Sequence, residues 1–126
     1  MRNRLVVTLE GEHVRVISDG VKDRAFQERL WDEVAAVCQK HDCYRVLGIA
    51  HTTVPPEIFD GFETARMMRE RNIDHRYRIA WVECNTDALD VIKFVETVLI
   101  NRSLPGRLFP DEASAKTWLF EDQVAE

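Results

Sequence analysis

The 126-residue chain predicts an α/β fold of order ββαβαβαβα: a mostly parallel five-stranded sheet, an N-terminal antiparallel hairpin strand and four helices. Three observations predict it. Apolar and polar residues alternate over the first two segments, as in half-buried strands. A stripe of 3.6-residue spacing follows, as in a helix with one buried face. From Tyr44 onward, a short apolar run and an amphipathic stretch succeed one another three times, and such alternation demands parallel strands joined by helical crossovers.

Leu5, Val7 and Leu9 alternate with Val6 and Thr8; "EGEH" gives a turn; Val14 and Val16 then flank Arg15, completing a hairpin that "SDG" ends. Asp23 is a helix cap, and Phe26, Leu30, Val34 and Val37/Cys38 form the stripe of a first helix running to about Lys40. "YRVLGIA", Tyr44 to Ala50, is nearly continuous in apolar character, as an interior strand covered on both faces must be. "PPEIFDGFETARMMRERN" then reads as a helix with prolines in its first turn, a stripe of Ile58, Phe62, Ala65 and Met68, and Asn72 as a left-handed stop. "RIAWVEC", Arg78 to Cys84, is the next strand. Asn85 or Thr86 caps "DALDVIKFVETVLI", apolar over most of its circumference and so expected to be wedged between neighbours. "GRLF", Gly106 to Phe109, is a short last strand, and Asp111 caps a final helix whose Ala115, Trp118 and Leu119 point one way.

This length matches one domain, residues 1–126, with a single core. A net charge of -5 weighs against tight unspecific nucleic-acid binding, which relies on many Lys/Arg contacts. One basic cluster opposes the average: Arg66, Arg69, Arg71, His75, Arg76 and Arg78, read as cations that offset a helix dipole and then face water. The opening "MRNRLVVTLEGEH" lacks the apolar core of a signal peptide, and no uncharged run approaches the ~18 residues that cross a bilayer. A cytoplasmic protein is expected. Cys38, Cys43 and Cys84 form an odd set without a C-x-x-C pair, which fits buried free thiols in a reducing compartment.

In element order over most of its length, the chain resembles the STAS-like superfamily, the SpoIIAA-like fold of anti-sigma factor antagonists. The most specific likeness is at the end, in "RIAWVECN", a long helix, then "GRLFPDEASAKTWL", where Phe109, Asp111, Glu112, Ala115, Trp118 and Leu119 match that family's close. The resemblance implies a non-enzymatic regulatory or protein-interaction domain. It also implies a phosphorylatable hydroxyl between the third strand and the second helix, where this chain has "AHTTVPP", making Thr52 and Thr53 the candidate phosphorylation sites. The stretch lacks the Asp and Gly-Leu of the family's "D-S-S-G-L"-like pattern, and Pro55 and Pro56 stiffen it.

Parallel sheets present their working residues past the carboxyl ends of the strands, here "HTT" and "CNTD". His51, Thr52, Thr53 and Asn85, with Phe59 and Met67 of the second helix, are therefore the expected contact edge for a protein partner, for self-association, or for a small apolar ligand of the kind Sec14-like carriers hold. Met67 is placed on that edge because it cannot share the inner face with Ile58 and Phe62. His51 beside Cys84 also raises a Cys-His thiol enzyme, but the sequence offers no orienting carboxylate, and a turn His with a buried Cys is favoured. Cys38, His41 and Cys43 lack a second pair, so no metal is expected, and no cofactor motif is present.

Overall fold

The computed structural model describes residues 3–21, 23–54 and 60–121, with backbone alone for Val54 and Asp60. β1 (Arg4–Glu10) and β2 (His13–Val21) form the antiparallel hairpin, and Gly11 takes φ +59° at the first of two turn positions. Glycine suits that place because a left-handed φ there matches the strands' own twist. α1 (Arg24–His41) is capped by Asp23, whose side chain accepts the Phe26 N–H at 2.9 Å. β3 (Arg45–Val54), α2 (Asp60–Glu70), β4 (Arg78–Glu83), α3 (Leu89–Asn101), β5 (Gly106–Phe109) and α4 (Glu112–Leu119) follow. Asn85 caps the 3-10 turn Thr86–Ala88 that leads into α3, Asp111 caps α4, and Asn72 takes φ +58° after α2, all at the positions the sequence marks.

Among the described residues the sheet has order β1-β2-β3-β4-β5, with β1 antiparallel and every later pairing parallel. Strand alternation then divides the core in two. Val14 and Val16 of β2, Val46 of β3 and Ile79 of β4 face α1, α2 and α3, while Leu47, Ile49, Ala80 and Val82 face α4 alone. Gly48 matters to the first layer: a Cβ there would lie 2.1 Å from Cε3 of Trp81, so its absence lets the indole lie across β3 and reach Trp31 at 5.8 Å. On the other face, Arg78 stacks its guanidinium 4.0 Å from the Trp118 ring and donates to the Trp118 carbonyl at 2.8 Å, while Arg45 donates to that of Leu119. The two cations thereby satisfy carbonyls that end α4.

Four readings need correction. First, "SDG" does not end β2. The strand runs on to Val21 because Gly20, at φ +113°, leaves room for the Asn3 amide, which bonds both the N–H and the carbonyl of Val21. β3 lengthens with it to Val54, so His51, Thr52 and Thr53 are strand residues and not a loop, in keeping with the β-branched run Thr52-Thr53-Val54.

Second, α2 buries Ala65 and Met68 as expected, but it is turned so that Gly61, Thr64 and Met67 are buried with them and Phe62 is exposed. Gly61 is the cause, because it allows α2 to approach α3 closely; a Cβ there would meet Val98 at 3.3 Å. Met67 therefore belongs to the core and not to a contact edge. The exposed apolar contact is instead Phe62 edge-on to Phe94 at 5.9 Å. The expected first turn of this helix, with Pro55, Pro56 and Ile58, lies outside the described residues.

Third, α3 is only half covered, with Ile100 exposed, since it packs on α2 and β5 at one side of the molecule. Fourth, much of the basic cluster is joined to carboxylates. Arg66 contacts Glu63, Glu70 and Glu28, Arg71 contacts Glu28 and Asp32, and Arg76 contacts Asp74. Arg66 on α2 and Arg71 just beyond its end thus tie this segment to α1.

Candidate functional site

Neighbouring parallel strands carry the carboxyl end of β3 to that of β4, where Ala50 and Glu83 are register partners. Glu83 ends β4 on the face covered by α1, α2 and α3, and it is buried. Its Oε1 accepts the Thr52 hydroxyl at 2.6 Å; its Oε2 accepts the Thr52 N–H and the Asn85 N–H, each at 3.1 Å. The Asn85 amide returns the connection by donating to the Thr52 carbonyl. A buried carboxyl group is costly unless hydrogen-bonded, and here two residues from adjoining segments supply three donors. A carboxylate offers about four acceptor sites, so roughly one stays open to a further donor.

Glu83 also lines a cavity of about 110 Å³ between the sheet and its three-helix cover. Trp31 and Leu30 of α1, Met68 of α2, Ile79 and Trp81 of β4, and Ile92, Val95 and Leu99 of α3 give it an apolar wall. Polar groups come from Thr52 and Glu83 at one side, Gln27 and Thr64 at another, and Glu96 and Arg107 near β5. The Thr64 hydroxyl donates to Gln27 at 3.2 Å, Glu96 accepts the Leu108 N–H at 2.7 Å, and Arg107 donates to the Gly106 and Leu104 carbonyls. A largely apolar concavity with a few convergent polar groups is the usual form of a small-molecule site. An engineered apolar cavity of ~150 Å³ admits benzene, so this one is of the size of a short alkyl chain or, with slight expansion, a single ring.

The structure brings Thr52 and Asn85 together, as the sequence anticipates, but not at the surface. Thr52 is 2% exposed, on a strand, with its hydroxyl committed to Glu83, whereas Thr53 is exposed at the irregularity where the register of β3 on β2 shifts. Phe59 lies outside the described residues. His51 is an exposed strand residue facing away from the cavity, and its Nδ1 is 2.9 Å from Oδ1 of its register partner Asp19. The Cys84 N–H continues the ladder by donating to the Ala50 carbonyl, which by alternation puts Cys84 on the His51 side.

Cys84 is exposed, not buried as expected of a free thiol in this chain. The orienting carboxylate the sequence did not reveal is thus present as Asp19, yet the surroundings oppose a thiolate. Partial burial raises the Cys84 pKa above its ordinary value, and the nearby Glu83 and Asp19 charges raise it further. Cys38 is buried and its thiol pushed up to about 12, Cys43 donates to the Glu12 carbonyl, and no metal-binding group of His, Cys, Asp or Glu occurs among the described residues. No described helix is long and apolar enough to cross a membrane.

Glu83, Trp31, Trp81, Gln27 and Thr64 were not singled out by sequence reasoning. The one signal was Glu83 itself, an acidic residue closing an otherwise apolar strand, "RIAWVEC". No protein-family model, curated protein or solved structure matches the chain.

Proposed function

We propose that this chain is a non-enzymatic, STAS-like binding domain whose cavity takes a small, mainly apolar molecule bearing one hydrogen-bond donor or cationic group. The observation that carries the reading is Glu83: a buried carboxyl group, held in place by three donors, on the wall of a largely apolar cavity. Fixing it costs the protein an internal network, and a donor on a ligand completes its acceptor capacity. Apolar walls then supply affinity while the carboxyl group supplies orientation. A volume near 110 Å³ favours a small molecule over the long-chain lipid of a Sec14-like carrier.

The element order supports a STAS-like reading, and with it a regulatory role, in which ligand occupancy beneath β3 and β4 is sensed by a protein partner at the carboxyl edge. In that role Thr53, exposed at the end of β3, is the hydroxyl a kinase reaches, and the buried Thr52 is not. A thermal-shift and calorimetric panel of benzylamine, hexylamine, benzyl alcohol, benzoate and hexanoate tests the binding claim. Amines or the alcohol are expected to stabilise the wild type, by about 2.7 kcal/mol at a hundred times Kd, and Glu83→Gln to remove the preference for amines. Equal binding of the carboxylates, or no stabilisation by any probe at millimolar concentration, refutes it.

A further inference from the structure

The two edges of the sheet are not alike. β5 has only four residues, and Glu96 of α3 accepts its Leu108 N–H, so a side chain already occupies part of that edge. β1 has seven residues with an uncharged centre, "LVVTL", and no further strand lies beyond it among the described residues. Val6 and Leu9, both on β1, are exposed. An edge of this length without a central charge is a template for strand pairing.

The hairpin fixes which backbone groups face outward. A two-residue turn closed by Glu10 and His13 makes that pair hydrogen-bonded, and hydrogen-bonded pairs alternate along an antiparallel ladder. Arg4, Val6, Thr8 and Glu10 therefore spend their backbone groups on β2, while Leu5, Val7 and Leu9 direct theirs to the open side.

We propose that β1 pairs antiparallel with β1 of a second copy of this chain, on a two-fold axis through Val7, giving one continuous ten-stranded sheet. The sequence is self-complementary in this register. Val7 meets Val7, Leu5 meets Leu9, Val6 meets Thr8, and Arg4 meets Glu10 at both ends. All the pairs that must exchange backbone hydrogen bonds are those whose groups face outward. On one face the exposed Leu9 gains an apolar neighbour, the half-buried Leu5 of the other copy; on the other, each Arg4 gains a carboxylate beyond its 3.7 Å contact to Asp19. Closed two-fold symmetry of this isologous kind ends at a dimer and gives no filament. A contact built on one seven-residue strand is small, so the dimer is expected to depend on concentration.

Sedimentation equilibrium from 1 µM to 1 mM tests the pairing, with the mass rising from 14.7 kDa toward twice that value. Val7→Pro removes an outward N–H without touching the β2 ladder, and so is expected to keep the monomer's circular dichroism while weakening the dimer at least tenfold. Arg4→Glu sets carboxylates against each other at both ends and weakens it; adding Glu10→Arg restores the opposite-charge pairing and most of the affinity, which a merely unfolded variant would not do. A monomer at 1 mM overturns the proposal. So does a dimer that Val7→Pro leaves unchanged, or one that Phe62→Asp on α2 abolishes instead.

Discussion

Thr52→Val separates a buried, structural Thr52 from a solvent-facing switch residue. Valine keeps the β-branched shape, so the strand and the packing stay as they are; what disappears is the 2.6 Å bond from the Thr52 hydroxyl to Oε1 of Glu83. A hydrogen bond to a charged group contributes about 1.5–3 kcal/mol, and a buried acceptor left without a partner costs about as much. A loss of about 2 kcal/mol is expected. Unfolding entropy near 2.1 cal/mol/K per residue over 126 residues amounts to about 0.26 kcal/mol/K, so the melting temperature should fall by about 8 °C. Differential scanning calorimetry reads this directly, and the double variant with Glu83→Gln should fall by clearly less than the sum of the singles, because the two residues share one bond. A drop of 1 °C or less is what an exposed hydroxyl would give, and it would refute the buried network.

Three further outcomes follow from the geometry. Gly48→Ala places a methyl group within the Trp81 ring, forcing the indole toward the cavity; a loss of about 1–3 kcal/mol in urea unfolding and a shifted tryptophan emission are expected, and unchanged values contradict the close approach. Cys84 is exposed but its pKa is raised, so iodoacetamide labelling followed by peptide mass spectrometry should be slow at pH 7 and still accelerate near pH 9; complete labelling within minutes at pH 7 would revive a thiol enzyme. Glu112 is held at about 2 by its hydrogen bond to Arg15, then by Lys116. Its folded pKa lies below the usual 4.5, so the stability it lends is full above pH 4.5 and is lost as pH falls toward 2. Glu112→Gln should flatten that part of the melting-temperature profile, modestly, because the side chain is 40% exposed and solvent screens it.

Much of the fold was legible because its signals are local. Asp23, Asp111 and Asn85 cap helices from within the same turn, Asn72 stops α2 by its own φ, and the apolar runs mark interior strands without reference to distant residues. What escaped depends on partners far apart in sequence. β2 and β3 extend past their expected ends because Asn3 bonds Val21 across 18 residues. Phe62 and Met67 exchange faces because Gly61 draws α2 onto α3, a packing effect that helical periodicity alone does not carry. The site follows the same rule. Thr52 and Asn85 were expected to converge from strand adjacency, yet the residue that joins them, Glu83, is 31 positions from Thr52 and reads in isolation as a strand end. Asp19, which meets His51 from β2, is likewise visible only once the register is known.

The most direct test of the binding account is a nuclear magnetic resonance titration of the isotope-labelled chain with benzylamine. Saturable shifts are predicted at the Trp31 and Trp81 indoles, the Thr52 and Asn85 amides and the Leu99 methyl groups, with the affinity in Glu83→Gln reduced to that for benzyl alcohol. Shifts confined to the α4 face, or a spectrum unmoved at 10 mM benzylamine, would contradict it.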